Sequence, residues 1–490
     1  MLTPISLKSK QLDLIKVTST ILLATIISKG TALFLGYSSD DYSLSRKDAG
    51  LNFFLGQGRY TEALIQKLTS KMGLHWTDIY FTNTALLFIC YSALISISVL
   101  ALRDKNQSIT TPIIGGVIIA THPYFSALLL FREASVNTLF CLIALFLFVR
   151  LWLSTIDSPS KSGGKSLLAA VALCAAIGCY QPALCIALCI TIPITVQRVF
   201  LSGSTTSSRT WALTRAATPL VLATIGYIAI NASIKTISDI NLEKRNQLID
   251  PSDIPERLTA TQNLLSELII SGTPISPELL TILQGVLLIA GILCANRKNL
   301  PSAISAFLLY PILVLISIVP FTLSQVWWPV HRAMASIGFS LGLLAILSIS
   351  SAHRFQNILA VGWLFLSWGL AMHSSAMFID QIRLNRWDFS RAQLIIHEVK
   401  RQFPDVTDPA IRIVNNQWAY PIPLASSISD HGISAFSVPW AVTEMMQEAT
   451  GQNIQRVELQ QTDSDICQGS RRWPGQDSLH LVEGVVYVCL

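Results

Sequence analysis

Charge is scarce in this sequence. Lys, Arg, Asp and Glu make up 13% of 490 residues, while 51% are apolar and the mean hydropathy is +0.51. An ordinary globular chain carries roughly 25% charged residues, so a set of soluble domains is excluded. Disorder is excluded too, because it needs low hydrophobicity. Nine cysteines in this length are too sparse for small disulfide-stapled domains. No Gly-rich loop follows a strand, so a dinucleotide or nucleotide-sugar fold is not expected. The net charge of +6 is modest, and nucleic acid is not an expected partner.

What is present is apolar length. A bilayer core requires about 20 mostly apolar residues per helix, since hydrocarbon offers backbone amides no partner. Segments 13–36, 79–102, 112–131, 135–153, 166–181, 182–200, 212–233, 274–294, 301–320, 333–350 and 357–378 meet that need. The expectation is an α-helical polytopic membrane protein of about 11 transmembrane helices. Segments 166–181 and 182–200 are divided only by Tyr180-Gln181-Pro182. One long kinked helix is the competing reading there.

The few charges are sorted. Residues 1–378 hold 26 Lys+Arg and 16 Asp+Glu, whereas residues 379–490 hold 9 and 13. Basic residues are retained on the cytoplasmic side. Lys8, Lys10 and Lys16, then Arg103 and Lys105, Arg150, Lys161 and Lys165, Arg198, Arg209 and Arg215, Arg297 and Lys298, and Arg354 fall on one side if all eleven segments cross. The N-terminus is then cytoplasmic, and segments 37–78 and 234–273 and the tail are extracytoplasmic. The expected division is a membrane body over 1–378 and a small α/β extracytoplasmic domain over 379–490. In the tail, periodicity predicts helices at Ser390–Phe403 and Pro439–Ala449 and strands at Ala410–Val414, Arg456–Leu459 and Val485–Val488.

The first apolar segment lacks a small-residue cleavage site and reads as a retained anchor. Lys29 interrupts it near the outer end, where a lysine is expected to snorkel to the interface.

Chemistry concentrates in segment 37–78. Asp40 and Asp41 stand at the mouth of the first helix, followed by Arg46, Gln57-Gly58-Arg59 and Tyr60. One carboxylate can take a proton from an attacking hydroxyl while its neighbour orients a sugar hydroxyl or an Arg. The plainer alternative is a solvated loop with a helix-capping Asp. Between the two, Asp41 is slightly favoured as the base, because Tyr42 and the following helix would fix it. Arg59 suits bidentate binding of a lipid phosphate. His122, Arg132 and Glu133 close the third span. In Trp327-Trp328-Pro329-Val330-His331-Arg332, the two Trp read as interfacial anchors and His331 and Arg332 as phosphate-binding candidates. Lys235 and Glu243-Lys244-Arg245 read as a solvated face, and Leu264–Ile270 as an amphipathic stretch lying along the interface. Seven cysteines sit in apolar spans without metal-ligand spacing. Cys467 and Cys489, the pair in the tail, are a disulfide candidate if that tail is extracytoplasmic.

Asp40-Asp41-Tyr42, Gly58-Arg59 and Tyr180-Gln181, in this order, resemble the serotype-converting O-antigen glucosyltransferases of bacteria and their phages, in the GT-C superfamily of membrane glycosyltransferases. The resemblance implies a multi-pass enzyme of the bacterial inner membrane with a periplasmic C-terminal domain. Such an enzyme would move glucose from an undecaprenyl-phosphate carrier to an O-antigen or related lipopolysaccharide glycan. It implies Asp40 and Asp41 as acid-base candidates. Arg59, Arg132, His331, Arg332, Tyr180 and Gln181 become donor-phosphate or substrate-binding candidates. No cofactor is called for, nor is a metal, since fixed guanidinium charge can stabilise a leaving phosphate. The rival class is a transporter or flippase of lipid-linked sugars, which would want charged or broken-helix sites at the bilayer midplane.

Overall fold

The computed structural model describes residues 4–44, 51–104, 107–157, 162–201, 206–238, 240, 243–406, 408–414, 433–455, 457, 466–475 and 477–490. Arg46, Lys105 and Lys161 lie outside them, as does all of the expected strand Arg456–Leu459 but Val457.

The helices are α1 (Pro4–Lys29), α2 (Ser39–Leu44), α3 (Leu51–Gly56), α4 (Tyr60–Lys71), α5 (Tyr80–Ala101), α6 (Thr110–Thr121), α7 (Pro123–Leu129), α8 (Ala134–Asp157), α9 (Ser162–Cys179) and α10 (Ala183–Thr195). They continue with α11 (Thr206–Ser238), α12 (Ile254–Ser266), α13 (Glu278–Leu293), α14 (Leu300–Leu323), α15 (Ser336–Ser351), α16 (Gln356–Gln402) and α17 (Val442–Thr450). Among the described residues, eight helices are long and apolar enough to cross a membrane, and nine if the pair α6 and α7, bent by 45°, is one span. The other two apolar segments are the shorter helices Gly163–Cys179 and Glu278–Leu293. The eleven apolar segments of the sequence are thus all helical, but not all are full-length spans. The chain is a mostly helical, polytopic membrane protein.

Tyr180-Gln181-Pro182 separates two helices and does not kink one. Pro182 supplies no amide hydrogen to α10. The helices on either side keep different company: α9 packs chiefly on α8 and α11, and α10 on α14 and α15. Helix α15 is the centre of the bundle, its span being 94% buried, whereas the span within α11 is 11% buried. Glycine lets α6 and α15 touch. A Cβ at Gly115 would stand 2.6 Å from the Gly342 carbonyl oxygen, and one at Gly342 would strike that of Gly115.

Lys29 does not snorkel. It is 0% exposed, and Nζ donates to the His122 carbonyl (3.2 Å) and to Ser374 Oγ (3.3 Å). Ser374 Oγ in turn donates to the Thr121 carbonyl (2.6 Å). Both carbonyls lie where α6 ends before Pro123, which lacks the N–H that would continue the helix. The Lys29 amine therefore donates at the carboxyl end of α6, where the last carbonyls lack helical partners.

The chain forms two compact units. One comprises residues 1–33, 49–129 and 134–375; the other comprises 34–48, 130–133 and 376–490. Two short pieces that the charge pattern assigned to the membrane body thus fold with the tail, and α16 runs without a break through residue 379. In the first unit β1 (Gly272–Thr273) pairs with β2 (Ser276–Pro277). In the second, β3 (Ala410–Val414) lies parallel to β5 (Val485–Cys489), and β4 (Leu479–Val482) lies antiparallel to it. Tyr42, Ile395, Val399, Phe436, Met445 and Val486 share that unit's core. Cys467 and Cys489 are joined by a disulfide.

Candidate functional site

In the tail-containing unit, Asp40 and Asp41 have different surroundings. Helix α2 begins with a reciprocal cap: Ser38 N–H donates to Asp41 Oδ2 (2.7 Å), and Asp41 N–H donates to Ser38 Oγ (3.3 Å). The Asp41 carboxylate also accepts the backbone amides of Arg132 on Oδ2 (3.1 Å) and Glu133 on Oδ1 (2.8 Å). Asp41 is 0% exposed; burial pushes its carboxyl up to about 6, against the pull of these amides. With its oxygens occupied by main-chain donors and no solvent access, it holds two chain segments together.

Asp40 is half-buried, and Trp440 Nε1 donates to its Oδ1 (3.2 Å). Trp440 is 48% exposed. Arg132 belongs to the Asp41 cluster: Nε donates to the Leu35 carbonyl (2.9 Å), and its guanidinium lies 4.6 Å from the Tyr37 ring centroid. Asn385 Nδ2 donates to the Tyr37 carbonyl (2.7 Å). The segment before Asp40 is thereby tied down on both sides of Tyr37.

In the larger unit, a second cluster forms around Gly58-Arg59. Gly58 has a φ of 70°, and a Cβ there would meet Tyr227 Oη at 2.7 Å, Asn231 Oδ1 at 3.3 Å and Gln181 Nε2 at 3.6 Å. Tyr227 and Asn231 are four residues apart, so α11 presents both on one face. Gln181 Nε2 donates to the Gln57 carbonyl, and Gln57 Nε2 donates to Glu243 Oε1 (3.1 Å). Arg59 lies 5.9 Å from the centroid of Tyr180. Its Nη1 is 3.4 Å from Glu62 Oε2, while Asn137 Nδ2 donates to Glu62 Oε1 (2.8 Å). Burial pushes the Glu62 carboxyl up to about 7, opposed by Arg59 and Asn137.

Tyr180 also feels the charge of Arg332, which stacks on Trp328 at 4.9 Å from the ring centroid. Trp328, Val326, Glu243 and Lys244 line an open depression of about 420 Å³. Trp327 is engaged elsewhere, under Arg257 at 5.3 Å. Arg257 caps α14 by donating to the carbonyls of Phe321 (2.8 Å), Ser324 (2.6 Å) and Gln325 (3.1 Å). His331 lies 5.5 Å from the Tyr124 ring, itself 4.8 Å from His122.

Arg59, Tyr180, Gln181 and Arg332 are therefore brought together, while Asp40, Asp41 and Arg132 share the other unit. His331 faces the Tyr124 ring, which in turn meets His122. Sequence reasoning missed Glu62 and Trp440 and set Glu243, Lys244 and Trp328 aside. The Arg59-x-x-Glu62 spacing, one helical turn, was the available signal for the first.

None of the curated proteins compared matches the chain. The profile of the family described as glucosyl transferase GtrII matches residues 32–349, which include α2, the Gly58-Arg59 loop, Tyr180-Gln181 and Trp328. This covers well over half of the chain, and the protein belongs to the glucosyl transferase GtrII family of glycosyltransferases.

Proposed function

We propose that the protein transfers a sugar, glucose by preference, from a polyprenyl-phosphate carrier such as undecaprenyl phosphate to an O-antigen or related surface glycan on the periplasmic face. Asp40 carries the proposal. It is the carboxylate of the Asp pair that keeps solvent access, and its neighbour's oxygens are committed to the backbone.

The acceptor hydroxyl oxygen attacks the anomeric carbon, its proton passes to Asp40, and the bond from the anomeric carbon to the phosphate oxygen breaks with the electron pair leaving on phosphate. In the larger unit Arg59 and Arg332 are the candidates for holding a donor phosphate by fixed positive charge, Tyr180 standing within electrostatic reach of both. A lipid-linked donor accounts for an enzyme built from membrane-spanning helices: the tail remains in hydrocarbon and only the head group must reach the protein.

The test is transfer of labelled glucose from polyprenyl-phosphate glucose to a purified glycan acceptor by the protein in detergent. Wild type is expected to transfer, and Asp40→Asn to lose activity by at least about a hundredfold, the scale of a general base, while still binding the donor. Full activity in Asp40→Asn would end the assignment. Transfer from a nucleotide sugar but not from the lipid-linked donor would end the carrier assignment.

A further inference from the structure

The depression lined by Glu243, Lys244, Val326 and Trp328 has no role in the chemistry above. Its volume of about 420 Å³ is within the range of small-molecule sites. Its lining is of three kinds. Trp328, 36% exposed, offers an indole to stack on an apolar ring face; Glu243 offers acceptor oxygens; Lys244 offers an ammonium. A wholly apolar ligand would leave both charges unused. A saccharide uses all three, because its ring carries C–H faces and a rim of hydroxyls that donate and accept.

Two connections tie the depression to the Arg59 cluster within the same unit. Along the first, Glu243 Oε1 accepts from Gln57 Nε2 (3.1 Å), Glu243 N–H donates to the Gly56 carbonyl (3.0 Å), and the next two residues of that loop are Gly58 and Arg59. Along the second, Trp328 carries Arg332, whose charge reaches Tyr180, over which Arg59 lies at 5.9 Å. The carboxylate of the depression is thus fixed by the chain segment that presents one guanidinium, and its indole is stacked with the other.

We infer that this depression is the subsite for the sugar of the lipid-linked donor, with the glycosyl ring on Trp328, its hydroxyls on Glu243 and Lys244, and the adjoining phosphate on Arg59 and Arg332. The assignment rests on the donor proposed above and adds which residues read its sugar. Gln57 is then a positioning residue, holding Glu243 in place for the hydroxyls.

The experiment measures binding of two short-chain ligands by calorimetry on the detergent-solubilised protein: a polyprenyl phosphate, and the same lipid phosphate bearing glucose. Trp328→Ala and Glu243→Gln are each expected to weaken the glucosylated ligand about tenfold or more beyond any change in binding of the bare lipid phosphate, and Trp328→Tyr to restore most of that difference. Arg59→Ala is expected to weaken both ligands. If Trp328→Ala and Glu243→Gln bind the glucosylated ligand as wild type does, or lose both ligands equally while Trp328→Tyr also fails to restore the difference, the subsite is overturned and the donor proposal stands. Wild type that binds neither ligand overturns both.

Discussion

Asp41 and Glu133 are joined by a 2.8 Å hydrogen bond from the Glu133 amide to Asp41 Oδ1, which fixes two segments 92 positions apart in the chain. Together with the Ser38 and Arg132 amides, it makes Asp41 a structural carboxylate. Asp41→Ala leaves the amides of Ser38, Arg132 and Glu133 without this acceptor and is expected to cost about 2–4 kcal/mol. Asp40→Asn should leave the unfolding transition in place. Thermal unfolding of the two variants, side by side with their transfer activity, checks the separation; an Asp41→Ala protein as stable as wild type would contradict it.

Glu62 and Arg59 give a pH dependence with a definite sign. Above about 7 Glu62 is ionised and partly neutralises Arg59; as pH falls through about 7 it takes a proton, and the full guanidinium charge becomes available to a phosphate. The glucosylated lipid phosphate is a diester and does not titrate in that interval. Its affinity is expected to rise about fivefold from pH 8 to pH 6, a difference of about 1 kcal/mol. Glu62→Gln should bind at the low-pH level throughout. A flat wild-type curve would uncouple the two residues.

Gly58→Ala tests the loop that carries Arg59. A φ of 70° disfavours any side chain, and the added carbon would stand 2.7 Å from Tyr227 Oη. A loss of about 1–2 kcal/mol in stability is expected, with weaker donor binding. Gly73, also at a φ of 70° but with nothing within 4 Å, is the control: its Ala variant should show the backbone cost without the effect on binding.

Lys29 should be chemically silent. A water-soluble amine-acylating reagent, followed by mass spectrometry of the folded protein, is expected to modify exposed Lys244 at least an order of magnitude faster than Lys29. Comparable rates would return Lys29 to the interface.

The disulfide between Cys467 and Cys489 closes a loop across a separation of 22 residues and ends on the central strand of the small sheet. Replacing either cysteine by serine is expected to cost the tail-containing unit about 2–4 kcal/mol. Urea unfolding with and without reductant measures it; wild type that is indifferent to reductant would show the bond to be without weight.

Much of this was legible in the sequence, for reasons that particular elements make plain. Apolar runs located the helices because hydrocarbon leaves the backbone no other choice. Strand β3 was found at Ala410–Val414, its residues buried throughout. Strand β4 was missed, since His480 breaks a run of only four residues. The Asp pair was visible as a pair, but the difference between its members was not. Asp41 is decided by amides of Arg132 and Glu133, and Asp40 meets Trp440, 400 positions away. Lys29 was misjudged because its acceptors are carbonyls released by a helix break, which no local pattern announces. The Trp pair was read as one feature, whereas Arg257 engages Trp327 and Trp328 lines the depression.

Helix α15 is enclosed, and its neighbours α5, α6, α7, α10, α13 and α14 all precede it in the chain. During synthesis those six exist before the element they surround. They cannot close on one another in their final places without shutting it out, so the bundle must stay parted until α15 is delivered. The facing glycines at 115 and 342 then decide whether the last piece seats. A bulky residue at either position would hold α6 and α15 apart and is expected to shorten the protein's lifetime in the cell, before any sugar is transferred.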